Sequence, residues 1–167
     1  MYFVGVITND KSKKYISKII NEQIKTKKFQ IIFITEKNIE NMKNIRFDTI
    51  VVNKRVEYIE NMQNNLINTK YLIINSDLNL NLQVLKQNNF KVINYGFNSK
   101  ATITLSSNTE DSVQICVQRN ILNGKENVEQ QEISLNKNQN TDIYDVMLLI
   151  SVLLIYDKDV ISLLKIL

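Results

Sequence analysis

Near the start of the chain, Gly5, Asp10, Lys11 and Ser12 have types and spacing suited to phosphate binding. They fall on the frame G-x-x-x-x-G-K-S/T with one mismatch, Asp10 at the second glycine. In that frame glycine lets backbone N–H groups approach phosphate oxygens, lysine pairs with their charge, and the hydroxyl holds Mg²⁺. A carboxylate at position 10 would add bulk and like charge where those oxygens belong, a repulsion on the order of a few kcal/mol in a partly dry site. The same residues also read as an ordinary helix start capped by Asp10. Taken alone, the stretch favours the capped helix.

Little else in the composition supports chemistry. The chain has no histidine and a single cysteine, Cys116, so a Cys–His pair, a histidine metal site and an internal disulfide are all excluded. Glu110, Asp111, Glu129 and Glu132 read as solvated acids on turns and strands, and no carboxylate dyad is visible. The net charge of +4 comes from 21 basic and 17 acidic residues. Lysines cluster only at Lys11, Lys13, Lys14 and at Lys25, Lys27, Lys28, which reads as solvated surface and predicts no nucleic-acid partner. A core strand directly after Met1 leaves no room for a secretory leader. The apolar run between Val146 and Ile155 is about half of the ~20 residues that a spanning helix needs. The expectation is a cytoplasmic chain with no membrane insertion.

The elements that position these residues follow from periodicity. Residues 2–8 read as a strand, and Ile16, Ile19, Ile20 and Ile24 mark one face of a helix over 11–27. Strand 29–35, a short helix over 36–44 and the β-branched strand 48–53 come next. Val56, Ile59, Met62 and Leu66 mark a helix, followed by strand 71–75, a helix near 80–87 and strand 90–95. Strands apolar on both faces, separated by helices, predict a parallel sheet with right-handed crossovers. After Gly96 the pattern alternates: Ala101, Ile103, Leu105 and then Val113, Ile115, Val117 describe half-exposed strands of an antiparallel meander. Asn123-Gly124 signals a tight turn, with a strand over 128–135 pairing back. An apolar helix over 142–156 and a short helix over 158–167 close the sequence. The expected class is α/β, a three-layer P-loop-like sheet with an antiparallel meander and C-terminal helices, in one domain over 1–167.

Over most of its length this order of segments resembles the central, ATP-binding domain of the Mur ligase family. Thr8-Asn9-Asp10-Lys11-Ser12 is similar to the family's T-N-G-K-T/S loop, with Asp10 for its glycine and Ile7 for an earlier one. The strand ending in Asn53 resembles one that ends in a Mg²⁺-binding glutamate. Asn75, Ser76, Asp77 and Leu78 resemble the N-x-D-D segment, with Leu78 for the second aspartate. Gly96 matches the glycine after the next strand. The segment Thr141, Asp142, Ile143, Tyr144, Asp145 resembles the helix start H-N-x-Y-N, with Asp145 for the second Asn.

The resemblance implies a carboxylate–amine ligase ancestry, in which ATP and Mg²⁺ form an acyl phosphate that an amine then attacks. It also implies departures, because the glutamate and second loop glycine are replaced, and the family's N-terminal substrate domain and C-terminal domain have no counterpart in these 167 residues. The expectation is a pseudoenzyme without a bound cofactor, acting as a binding or scaffold module beside cell-wall or sporulation machinery. Its partner would be an unidentified protein or a second copy, docked through the C-terminal stripe Val160, Ile161, Leu163, Leu164, Ile166, Leu167. The alternative is a residual nucleotide binder, a regulator or part of a split ligase. It would use Thr8, Asn9, Lys11, Ser12, Asn75 and Asp77 as a vestigial nucleotide site, with no catalytic residue and no metal ligand.

Overall fold

Short strands rich in β-branched residues bury both faces only if helices or loops cover each side, and this requirement organises the chain. The structure is a computed structural model that describes residues 1–42, 44–55, 69–78, 90–123, 126–137 and 141–164. In chain order the strands are β1 (Tyr2–Ile7), β2 (Phe29–Ile34), β3 (Thr49–Val52), β4 (Tyr71–Asn75) and β5 (Lys91–Tyr95). There follow β6 (Ile103–Asn108), β7 (Ser112–Val117), β8 (Ile121–Asn123), β9 (Glu126–Val128) and β10 (Gln131–Asn136). Eight of them form one sheet in the order β10-β7-β6-β5-β4-β3-β1-β2. β1 to β6 run parallel, and β7 and β10 add antiparallel at the far side. The fold is α/β.

Two helices cover one face of the sheet. In α1 (Asp10–Gln23) the three-and-four spacing holds, with Ile16 and Ile19 buried. In α2 (Ile143–Tyr156) every residue from 145 to 155 is buried. That helix is central, packed with Val4, Val6, Val51, Ile73, Tyr95 and Ile103. Each fully buried aliphatic side chain there is worth about 1.5–3 kcal/mol. A second core of Ile7, Ile34, Ile39, Phe47, Ile50, Val52, Leu72 and Ile74 fills the other face.

Several local expectations are corrected. Asp10 is not the N-cap of α1; Asn9 is, its Oδ1 accepting from the Ser12 N–H at 2.9 Å. The first helical residue cannot reach that N–H, and the Asp10 carboxylate pairs with Lys37 instead. In place of the helix expected over 36–44, the described residues form a 3-10 turn, Ile39–Met42. There the Asn38 side chain bonds Phe33 O at 2.9 Å and the Thr35 N–H at 2.7 Å, competing with helix formation. The strand expected over 128–135 splits: β9 pairs with β8, and β10 pairs with β7. Val128 is buried beside Ile121 in the first core, whereas Ile133 and Leu135 are the buried side of the alternation in β10. The last helix is a 3-10 stretch, Lys158–Leu163, and Ile161 and Leu164 fold into the first core. The helices expected around Val56 to Leu66 and near 80–87, the Gly124 corner, and Ile166 and Leu167 lie outside the described residues.

Gly5 is not a loop glycine. It sits in β1 opposite Ile32 and Ile50, and a Cβ there would lie 3.0 Å from the Phe47 ring. Its function is to let Phe47 pack across the strand. β1 has β2 on one side and β3 on the other, so the chain reverses its direction of winding between them. The carboxyl ends of β1 and β3 therefore flank the crevice where open α/β sheets hold ligands.

Candidate functional site

Thr8 and Asn53 are the first residues beyond β1 and β3, and the ladder carries them into the crevice. The Thr8 N–H donates to Ile34 O at 2.9 Å and the Asn53 N–H to Ile7 O at 3.0 Å. Both residues are fully buried. β4 ends in Asn75 and β5 in Tyr95, so four neighbouring strands deliver polar side chains to one edge. The start of α2 lies over that edge. Its Asp142 cap accepts from the Tyr144 N–H at 3.0 Å, which orients the first turn so that Asp145 points inward.

Asn53 is the hub of the inner cluster. Its Nδ2 donates to Asp145 Oδ1 at 2.6 Å and to Thr8 Oγ1 at 3.1 Å, while its Oδ1 accepts from the Tyr95 hydroxyl at 2.7 Å. Asn75 Nδ2 donates to the Asn53 carbonyl at 3.1 Å. Ser12, buried on α1, lies against this cluster and favours the charged form of Asp145. Buried polar groups must find partners, and here they find one another. Burial pushes the Asp145 carboxyl above the ordinary carboxylate range, with Asp142 adding to it and the Asn53 bond and Ser12 opposing. Burial, and then the Asp145 charge, hold the Tyr95 phenol well above its usual value.

An outer cluster continues the edge toward solvent. Asp77 accepts from the Phe97 N–H at 2.7 Å, from Asn98 Nδ2 at 2.9 Å and from the Tyr144 hydroxyl at 3.1 Å. Burial acts against its ionisation, but these three donors keep it below the usual range. Tyr144 is pushed up to about 12 by burial and by its bond to Asp77. Its ring meets Phe97 at 4.8 Å between centroids, with Lys54 Nζ 5.1 Å from the ring centre. Lys54 also pairs with Asp142 at 2.7 Å, tying the end of β3 to the start of α2.

No family model and no curated protein matches the chain. What it does must be read from the chemistry of this edge.

Of the residues singled out in the sequence, Thr8, Ser12 and Asn75 lie in or against the inner cluster and Asp77 in the outer one. Asn9 is occupied as a helix cap, and Lys11 is exposed. The connection between β1 and α1 is only Thr8 and Asn9. It leaves no loop to wrap a phosphate: the Ser12 N–H bonds Asn9 Oδ1, and the Lys13 N–H bonds Asn9 O at 2.9 Å. The Asp10 carboxylate does not enter the crevice but faces Lys37, whose hydrogen bond and charge lower its pKa while that of Lys37 rises. Sequence reasoning missed Tyr95, Lys54, Phe97 and Asn98. One signal was present, since Asn53, Asn75 and Tyr95 each place a polar group at the C-terminal end of an apolar strand.

Gly96 is required by the outer cluster. A Cβ there would lie 2.7 Å from Ser76 Oγ and 2.8 Å from both Asp77 carboxylate oxygens. Gly96→Ala is expected to displace the Asp77 turn and cost about 1–3 kcal/mol in urea unfolding. An unchanged midpoint would show that the turn relaxes freely.

Proposed function

We propose that the chain is a catalytically silent Mur-ligase-like domain that works as a binding or scaffold module, with cell-wall or sporulation processes as the setting its resemblance points to. The observation that carries this reading is the closed hydrogen-bond network at the carboxyl ends of β1, β3, β4 and β5. Ser12, which would hold Mg²⁺ in a working loop, is buried and helps to hold the Asp145 carboxylate charge. Asn53, at the position of a metal-binding glutamate, is bonded to Thr8, Asp145 and Tyr95. A Mg²⁺-nucleotide would have to break several of these buried bonds, each costing about 1–3 kcal/mol when left unmade. In the two-residue loop the Thr8 N–H is already bonded to Ile34 O, and the Ser12 N–H to Asn9 Oδ1. These residues do not fit the nucleotide.

A second reading, a residual nucleotide binder, draws on the gathering of Thr8, Ser12, Asn75 and Asp77 at one sheet edge and on the exposed Lys11 beside it. Titration calorimetry with Mg-ATP and Mg-ADP separates the two. The scaffold reading expects no heat at millimolar nucleotide, either for the natural chain or for Asp10→Gly, because the Asp10 carboxylate lies outside the crevice. Saturable heat with the natural chain overturns the scaffold reading. Heat that appears only with Asp10→Gly identifies Asp10 as the block.

A further inference from the structure

Strands β1 to β5 run parallel, so the residues that lead into them share one rim of the sheet, at the opposite end from the polar clusters. Backbone bonds tie this rim together in order. The Tyr2 N–H donates to Lys28 O at 2.9 Å, the Asp48 N–H to Phe3 O at 2.9 Å, the Lys70 N–H to Asp48 O at 2.9 Å and the Lys91 N–H to Lys70 O at 3.0 Å. Lys91 Nζ then donates to Leu122 O at 3.2 Å, which brings β8 to the same rim.

Two kinds of side chain collect there. Tyr2, Phe3, Val92 and Leu122 are large, apolar and exposed, Leu122 to 63%. With Met1 beside them and Phe97 at the carboxyl end, they make up the exposed large hydrophobic residues among those described. Such a concentration on one surface marks an interaction site. Around them stand the exposed Lys25, Lys27, Lys70 and Lys91. Lys70 and Lys91 lie 5.3 and 5.9 Å from the centre of the Tyr71 ring, which steadies the ammonium groups without neutralising them. Among the described residues no acid pairs with any of these four lysines. Of the acids nearby, Asp157 is held by Lys28 and Asp48 accepts the Phe3 N–H, so exposed Asp159 is outnumbered.

We propose that this amino-terminal rim is a docking surface for an anionic lipid bilayer. Lipid headgroups supply the negative charge that the four lysines address, and the boundary with the acyl chains takes the apolar side chains between them, with Tyr2 at headgroup level. A second copy would press lysines against lysines. A nucleic-acid strand would call for rings on which bases stack, and Val92 and Leu122 have none. The rim lies on the bilayer and does not cross it, since no helix among the described residues is long and apolar enough to span one. This surface is separate from the carboxyl edge, so it holds whether or not nucleotide binds there.

Flotation of the intact chain with vesicles of about 3:1 phosphatidylcholine and phosphatidylserine tests the proposal; binding is expected to vanish on phosphatidylcholine alone and to fall roughly 10-fold between about 0.1 and 0.5 M salt. Lys70→Gln/Lys91→Gln is expected to weaken binding about 30-fold, at about 5-fold per lysine. Lys14→Gln/Lys100→Gln, which removes the same charge from exposed positions toward the other end of the sheet, is expected to weaken it less than about 2-fold, because those positions lie beyond a Debye length from the bilayer. The chain has no tryptophan, so Leu122→Trp places a single reporter on the rim, and its emission is expected to shift to the blue on bound vesicles. Failure to bind anionic vesicles, equal losses in the two double variants, an unshifted tryptophan on bound vesicles, or capture by an oligouridine RNA in place of vesicles overturns the proposal.

Discussion

Asn53→Ala is expected to cost about 3–5 kcal/mol, the largest effect of any single polar substitution at the carboxyl edge. The side chain makes three bonds in a fully buried setting, donating to Asp145 and Thr8 and accepting from Tyr95. Truncation leaves a carboxylate, a hydroxyl and a phenol without the partner around which each is arranged. Orphaned buried neutral groups cost about 1–3 kcal/mol each, and a buried charge that loses its partner costs about 3–5 kcal/mol. Water entering the small space left by the amide offsets part of the sum, which brings the estimate to the lower total. For a chain of this length the thermal midpoint should fall by roughly 10 °C. Calorimetric unfolding measures it directly. A loss below about 1 kcal/mol would mean that the inner cluster is an incidental neighbourhood and would remove the main support for the scaffold reading. Asn53→Asp is expected to be at least as costly above neutral pH, since it sets a second carboxylate against Asp145.

Asp145→Asn is expected to act in the opposite direction. Asparagine has the same shape and its Oδ1 can accept from Asn53 Nδ2, so that bond survives and the buried charge disappears. The pH dependence follows from linkage. Burial holds the folded pKa of Asp145 above its unfolded value near 4. Below about pH 4 both states are protonated and the group imposes no penalty. As the pH rises through the unfolded value the unfolded chain ionises first, and stability is lost until the folded pKa is passed. Each unit of upward shift corresponds to about 1.4 kcal/mol. Asp145→Asn should therefore match the natural chain near pH 4 and exceed it at neutral pH.

Asp77 and Asp157 have the reverse sign. Their burial is outweighed by donors, Phe97, Asn98 and Tyr144 for the first and Lys28 and Thr26 for the second. Their contribution is present above the unfolded value and is lost as the pH falls through the folded one. Urea titrations of both chains at a series of pH values separate these groups. A difference between Asp145→Asn and the natural chain that does not change with pH would refute the assignment.

The α/β class was legible because its signal is local. Ile50, Val51 and Val52 are β-branched and all buried, and Ile16 and Ile19 recur at helical spacing on the buried side of α1. Neither pattern needs knowledge of a distant partner. The apolar run after Asp145 likewise announced a buried helix, since a helix apolar all round must lie inside. What was not legible turned on partners far away in sequence. Asp10 looked like a cap and a phosphate-blocking charge until Lys37 was placed beside it. Gly5 looked like a loop residue until Phe47 was packed across β1.

The sequence by itself therefore determined the α/β class, the strands β1 to β5 and the two long helices, and where the polar residues fall along them, because backbone preference and hydrophobic period act over a few neighbours. The tertiary structure alone decided what those polar residues do. Thr8, Asn53, Asn75, Tyr95 and Asp145 span most of the chain, and only the strand order and the placement of α2 bring them within bonding distance. Buried hydrogen-bonding groups are satisfied by whatever the fold sets next to them, and here it sets them against one another.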